Sequence, residues 1–266
     1  EGTLYPVRTA YCDAATAALP PWEAAARTCA ALLPRLKEGH ALVFMPGAYE
    51  INRTAAEIAR LPSLAGFRVM PLHGEMKPEE QDAAVAASGG RKVIISTNIA
   101  ETSVTIEGVT AVVDAGLARV ARFDGSRGIN TLFTERISAA SAAQRAGRAG
   151  RTGPGVCARL WTERENHGLA AALSPEMLRL DISEALLTLK ACGYRGFGDL
   201  RWLDPPSPEA AERAESLLRD LGACDGKGAL TAAGRAMSAY PLHPRYSRMM
   251  VEAKRLGCAR ECAIIA

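Results

Sequence analysis

The chain has 266 residues, 48% of them hydrophobic and 23% charged, with a formal net charge of +3. This is the balance of an ordinary soluble globular protein, long enough for one large or two ordinary domains, and its global charge does not announce nucleic acid. No apolar run reaches 18 residues and no signal-peptide pattern opens the chain, so no membrane association is expected and a cytoplasmic location follows by default.

Residues 1–21 read as irregular, with Tyr5-Pro6-Val7 starting an extended segment and Pro20-Pro21 barring helix before Trp22. Apolar residues at 22, 25, 26, 29, 32, 33 and 36 keep helical spacing. They predict a helix from Trp22 to Lys37, ended by Gly39. Ala41-Leu42-Val43-Phe44-Met45 is a continuous apolar run before Pro46-Gly47, the pattern of a buried parallel strand with a loop at its carboxyl end. Helix 48–61, strand 67–72, helix 78–87, strand 91–96 and strand 110–114 follow. Strands alternating with helices of this length indicate an α/β domain with a parallel sheet. Gly47, His73-Gly74 and Thr97-Asn98 each follow a strand. The candidate contacts therefore gather at the carboxyl edge, where open sheets of this kind bind ligands.

From Leu117 to Thr134 the rhythm breaks. Val120, Arg122, Phe123 and Ile129, Leu132, Phe133 flank Asp124-Gly125-Ser126-Arg127-Gly128, which predicts a β-hairpin. From the residues alone, a surface hairpin of no special use is an equal reading. A helix over 138–149 then carries Gln144-Arg145-Ala146-Gly147-Arg148-Ala149-Gly150-Arg151. Gln144, Arg148 and Arg151 fall at i, i+4 and i+7 and share one face. Guanidinium forks among small residues suit a polyphosphate, and a solvated Arg-rich helix end is the bland alternative. Two glycines, each costing about 1 kcal/mol in a helix, suggest a contact requirement. Residues 119–151 hold seven arginines against Asp124 and Glu135, a balance of +5. That local basic patch is the expected footprint of a phosphate partner.

A last sheet strand is predicted at 156–161, with a domain boundary near Glu165. Beyond Pro175, apolar residues from Met177 to Leu189 read as one helix, stopped at Gly193. Leu203–Pro208 is a rigid connector, helix 209–221 follows, and 223–230 forms a small turn or wing. Thr231 caps helix 232–239, and Pro241-Leu242-His243-Pro244 opens another. The seven cysteines are scattered without a C-x-x-C pair, so they read as reduced, mostly buried hydrophobes and no metal site is expected. Glu1 is not an initiator methionine and the last residues stop inside a helical pattern, as expected of a fragment.

Gln144–Arg151 resembles motif VI of superfamily 2 helicases in its DEAH-box form, and Thr97-Asn98-Ile99-Ala100-Glu101-Thr102-Ser103-Val104-Thr105-Ile106 resembles motif V. The resemblance runs from about Tyr5 to the end, and glutamine at 144 points to the DEAH branch, of bacterial type. It implies a second RecA-like domain with a parallel sheet and an inserted hairpin over 1–165, a mainly α winged-helix domain over 166–240, and the start of a helical ratchet-like domain over 241–266. The implied reaction is NTP-driven movement along single-stranded RNA, by a monomer and with protein adaptors as further partners. The hairpin over Arg119–Thr134, with Arg119, Arg122 and Arg127, would separate strands.

Residue by residue, the resemblance makes Arg148 and Arg151 arginine fingers on the γ-phosphate and gives Gln144 the phosphate or the attacking water. Thr105 and Glu107 would contact the ribose, and Gly47, Thr97, Asn98 and Thr102 the RNA backbone. Where relatives stack an aromatic on the base, Val85 stands, with no aromatic among its neighbours; weak preference among nucleoside triphosphates is expected. The phosphate loop and the magnesium ligands are missing from this sequence: there is no G-x-x-x-x-G-K-[ST] and no Asp-Glu-x-His. ATP and Mg²⁺ would therefore need a first RecA-like domain, and the chain alone is expected to be inactive. Two other readings stand beside this one. A winged-helix binder on an α/β scaffold is disfavoured by the acid excess on helix 209–221, and a Rossmann-type enzyme lacks G-x-G-x-x-G after any strand.

Overall fold

The structure, a computed structural model, describes residues 5–36, 38–86, 89–102 and 104–266. The predicted helix ends at Lys37 and Ala87, and Ser103 within the Thr97–Ile106 motif, lie outside the described residues. In chain order the first elements are β1 (Val7–Tyr11), α1 (Ala14–Ala17), α2 (Pro21–Leu32), β2 (His40–Phe44), α3 (Ala48–Ala59), β3 (Phe67–Leu72) and α4 (Pro78–Val85). Then come β4 (Arg91–Ser96), α5 (Ile99–Thr102), β5 (Val109–Asp114), β6 (Leu117–Asp124), β7 (Ile129–Arg136), α6 (Ala139–Gly147), β8 (Gly155–Arg159) and α7 (Glu163–His167). The remainder is helical: α8 (Glu176–Arg179), α9 (Ser183–Ala191), α10 (Pro208–Asp220), α11 (Ala232–Met237), α12 (Pro244–Leu256) and α13 (Ala259–Ile265).

Six strands form one parallel sheet in the order β1-β8-β5-β2-β4-β3. The α/β expectation holds. Phe44 pairs with Ser96 on one side and with Asp114 on the other, so the carboxyl ends of three central strands are level. Apolar side chains cover both faces. One layer joins Val43, Met45 and Val113 to Ala25, Cys29, Ile51 and Ile58 of α2 and α3. The other joins Leu42, Phe44 and Val112 to Ala84, Ala100, Ala146 and Ala149.

Four expectations are corrected. Tyr5-Pro6-Val7 leads into a full strand, β1, paired with β8 from Val7↔Gly155 to Tyr11↔Arg159; its mostly exposed side chains gave no apolar signal. The first long helix stops at Leu32, because Pro34 removes a donor and forces a 3-10 turn over Leu33–Arg35. The helix expected over Met177–Leu189 is two helices, α8 and α9. Between them the Asp181 carboxylate accepts the Ser183 amide at 2.7 Å and the Ser183 hydroxyl, a local cap that outcompetes helix continuation. The helix over 138–149 ends at Gly147 and tightens to a 3-10 turn over Arg148–Gly150.

The chain divides into two compact units, residues 1–120 with 133–173, and residues 121–132 with 174–266. In the first, Gly116 turns the chain between β5 and β6 at φ +72°, and a β-carbon there would lie 2.7 Å from the buried Trp161 ring. Gly116→Ala is expected to destabilise this unit by about 1–3 kcal/mol through overpacking. A urea midpoint equal to that of the parent chain would show that the turn adjusts freely.

The second unit has its own core of Leu186, Leu187, Phe197, Ala214, Leu218, Ala223 and Met237. The expected wing is a turn closed by one antiparallel bridge, Cys224–Leu230. The Asp225 carboxylate holds it, accepting the Lys227 and Ala229 amides at 2.9 Å each. The outer hairpin is anchored here too: Arg213 lies 5.2 Å over Phe123, Asn130 accepts the Asp181 amide at 2.7 Å, and Arg179 donates to the Ala121 carbonyl.

Candidate functional site

The site forms where β4 and β5 end and α6 begins to tighten. β5 is apolar and buried from Ala111 to Val113 and ends on Asp114, which has no exposed surface. Its carboxylate accepts the Gly116 amide at 2.9 Å and Arg145 Nη1 at 2.9 Å. Arg145 is equally buried, sits 4.7 Å over the Phe44 ring and donates through Nε to Glu101 at 2.9 Å. Burial pushes the Asp114 carboxyl up while Arg145 pulls it back; burial works against the Arg145 charge, and Asp114 and Glu101 together outweigh it. Glu101 also accepts the Ser141 hydroxyl at 2.7 Å. Asp114, Glu101 and Arg145 thus weld α5 and α6 to the sheet.

The three arginines of Gln144–Arg151 therefore do three different things. Arg145 is internal structure. Arg148, only 5% exposed, donates to the Glu101 carbonyl through Nε at 2.9 Å and to Val104 through Nη1 at 2.8 Å. Burial, then the nearby Arg151, disfavour its charge, but a guanidinium stays protonated in this range. Arg151 is exposed and donates to the Thr105 hydroxyl at 3.0 Å. The expectation of one uninterrupted helical face is corrected by the 3-10 turn, yet Gln144, Arg148 and Arg151 still line one open cavity of about 530 Å³, with Glu101 and Thr102. The glycines also divide. A β-carbon at Gly150 would meet the Tyr5 carbonyl at 2.5 Å, so its requirement is internal, whereas Gly147 faces open space in the cavity wall.

A second cavity of about 480 Å³ lies on the same unit, lined by Val85, Lys92, Thr105, Glu107 and His40 among others. It gathers the residues assigned to ribose and base, and Thr105 joins it to the first cavity through the Arg151 hydrogen bond. Lys92 and His40 received no role from the sequence. The buried Lys92 ammonium donates to the Ala84 and Ala86 carbonyls and fixes the end of α4; the Lys92 amide donates to His40 Nδ1 at 3.3 Å.

The backbone-contact candidates sit at the carboxyl edge. Gly47 caps α3, and Arg119 folds over it: a β-carbon there would lie 2.8 Å from the guanidinium. Thr97 opens α5, its hydroxyl accepting the Ile99 amide at 3.5 Å, and Asn98 beside it is exposed. Thr102, grouped by sequence with Gly47, Thr97 and Asn98, lines the arginine cavity. Of the hairpin arginines, Arg119 belongs to the first unit, Arg122 and Arg127 to the second. Arg127 pairs with Asp124 at 3.6 Å. The basic patch is thus largely consumed within the protein, since Arg136 also pairs with Glu165 and Arg145 with Asp114 and Glu101.

Residues 24–153 match the helicase conserved C-terminal domain, and residues 214–242 match the winged-helix, helicase associated domain HA2. ATP-dependent RNA helicase HrpB of Escherichia coli (strain K12) is 39% identical over 270 residues, 100% of this chain and 33% of that protein. Pre-mRNA-splicing factor ATP-dependent RNA helicase prp22 of Schizosaccharomyces pombe is 36% identical over 84% of this chain and 20% of its own length. The crystal structure of the Escherichia coli DEAH/RHA helicase HrpB superposes with a TM-score of 0.90 at 38% identity, over 100% of this chain and 34% of that one. The chain belongs to the DEAH-box helicases. It spans about a third or less of the length of the relatives it matches. The parallel sheet that carries both cavities is the RecA-like part of this DEAH-box region, and α10, the wing and α11 lie in or beside its winged-helix match.

Proposed function

We propose that this chain supplies one wall of a nucleoside-triphosphate cleft in an ATP-dependent RNA helicase. A first RecA-like domain outside these residues supplies the phosphate loop and the Mg²⁺ ligands. The observation that carries the reading is the convergence of Gln144, Arg148 and Arg151 on one cavity, linked through Thr105 to a second cavity holding Glu107 and Val85. Two guanidiniums and an amide face the γ-phosphate, where charge develops during transfer. Thr105 and Glu107 take the ribose. Val85 gives the base only a small apolar contact, so preference among the four triphosphates is weak.

Arg145, Asp114 and Glu101 brace this wall from behind. Gly47, Thr97 and Asn98 contact the RNA backbone without reading sequence. The hairpin parts strands, with Leu132 and Phe133 exposed along it. The protein acts as a cytoplasmic monomer, with adaptor proteins as further partners. The domain limits that go with this reading are 1–165, 166–240 and 241–266.

The experiment compares the complete protein with the 266-residue chain. RNA-stimulated ATP hydrolysis is expected from the complete protein with Mg²⁺ and none from the chain above a mock preparation. Turnover by the isolated chain, or none by the complete protein, would overturn the reading.

A further inference from the structure

The second unit holds a cavity of about 610 Å³, lined by Lys190, Tyr194, Arg195, Glu215, Lys227 and Arg235 together with the wing residues 228–230. Its floor is a buried lysine paired with a carboxylate. The Lys190 ammonium, 6% exposed as a residue, donates to the Arg195 carbonyl at 2.7 Å and the Gly228 carbonyl at 3.0 Å, and pairs with Glu215 at 3.2 Å. One buried cation thus ties the wing turn to the segment that follows α9.

Its rim is different. Arg195, Lys227 and Arg235 are exposed and form no ion pair among the described residues. The nearby carboxylates are spent elsewhere. Glu215 faces Lys190, Asp199 accepts the Arg195 amide at 2.6 Å, and Asp225 caps the wing. Three cations without ion-pair partners around a concavity raise the local anion concentration. Two are guanidiniums, whose planar forks match phosphate oxygens. Beside them Tyr194 is 41% exposed and lines the same cavity. An acidic peptide needs the cations but not an open aromatic face. Nucleic acid uses both, because phosphates recur along the strand and every base has a stacking face.

We propose that this cavity is a binding site for single-stranded nucleic acid, with successive phosphates on Arg195, Lys227 and Arg235 and a base on Tyr194. The winged-helix unit then contacts the strand through its wing. α10 is the wrong surface for that contact, since Glu209, Glu212, Glu215 and Asp220 outnumber Arg213 and Arg219, and Arg213 is engaged with Phe123. The site belongs to a different unit from the proposed triphosphate cleft. A complete protein that failed to hydrolyse ATP would sink the reading of the cleft and leave this one untouched.

The test is fluorescence anisotropy of a labelled 12-nucleotide oligouridylate, about the length of one single-strand site, titrated with the 266-residue chain over a salt series. The triple variant R195Q/K227Q/R235Q is expected to bind at least about tenfold more weakly at low salt. Its log–log salt slope should be shallower by about 2, three contacts at roughly 0.7 each. The equally discharged control R60Q/R164Q/R260Q should keep the parent slope. Tyr194→Ala should lose about tenfold and Tyr194→Phe almost nothing. A 4-thiouridine oligonucleotide should crosslink at or beside Tyr194. All six cations replaced are exposed and Lys190 is kept, so circular dichroism should match the parent. An unchanged slope in the triple variant, an equal loss in the control, parent-like binding by Tyr194→Ala, or displacement of the RNA by polyglutamate would overturn the proposal.

Discussion

Arg151→Ala in the complete protein is expected to lower kcat by about 10³-fold, roughly 4 kcal/mol of transition-state stabilisation, with little loss of RNA affinity or fold stability. The stability half of this expectation comes from its surroundings. Arg151 is exposed, and among the described residues its side chain makes one hydrogen bond, to the Thr105 hydroxyl. Removing it opens no cavity and leaves no buried charge. Arg151→Lys should fall almost as far, because lysine keeps the charge but loses the fork. Arg148 is the informative contrast. Its guanidinium holds the Glu101 and Val104 carbonyls, so Arg148→Ala should cost turnover and also loosen the segment that carries Thr102 and Thr105. The measurements are single-turnover hydrolysis, RNA binding and thermal unfolding on each variant. A parent-like kcat in Arg151→Ala would make this residue a solvated surface arginine. A parent-like melting temperature in Arg148→Ala would show that its hydrogen bonds to the carbonyls hold nothing in place.

The centre of the sheet was legible because its strands are buried on both faces and carry short unbroken apolar runs. Ala41–Phe44 and Lys92–Ser96 are buried throughout. β1 was legible only as an extended start at Tyr5-Pro6-Val7, because an edge strand with exposed side chains owes its place to hydrogen bonds with β8, a partner far along the chain. The break between α8 and α9 was hidden for a different reason. The apolar spacing is continuous across it, and only the Asp181 cap decides the matter. At the site, the two motifs led to residues that share a cavity but did not show what each side chain holds. Gln144, Arg148 and Arg151 come together in one cavity as their spacing implied. Arg145 looked like a member of the same set, and no periodicity distinguishes it. The available signal was Asp114, an acid ending the apolar stretch Ala111-Val112-Val113. A carboxylate at the end of a buried strand requires a cation or a dense set of donors. Glu101 gave no such signal, since its partner is fixed only when α5 and α6 meet.

Arg145→Met is expected to destabilise the first unit by about 3–5 kcal/mol, because it removes the partner of a wholly buried carboxylate. Methionine fills much of the volume and keeps contact with the Phe44 ring, so the loss is chiefly electrostatic. Asp114 would retain the Gly116 amide as its donor, while Glu101, partly exposed, keeps the Ser141 hydroxyl. The double variant Arg145→Met/Asp114→Asn should recover a large part of the deficit, since asparagine accepts the same amide without a charge. The pH dependence has a definite sign. Burial pushes the Asp114 carboxyl up, and without Arg145 nothing of comparable strength pulls it back. A folded-state value above the unfolded one means stability that is present at low pH and lost as pH rises through the folded value. The single variant should therefore regain stability relative to the parent as the solution is acidified, and the double variant should not. Amide exchange of β5 during a urea titration reads this unit separately from the other. A single variant within about 1 kcal/mol of the parent at neutral pH, or one whose deficit does not shrink on acidification, would show that water or rearrangement already serves Asp114 as well as Arg145 does.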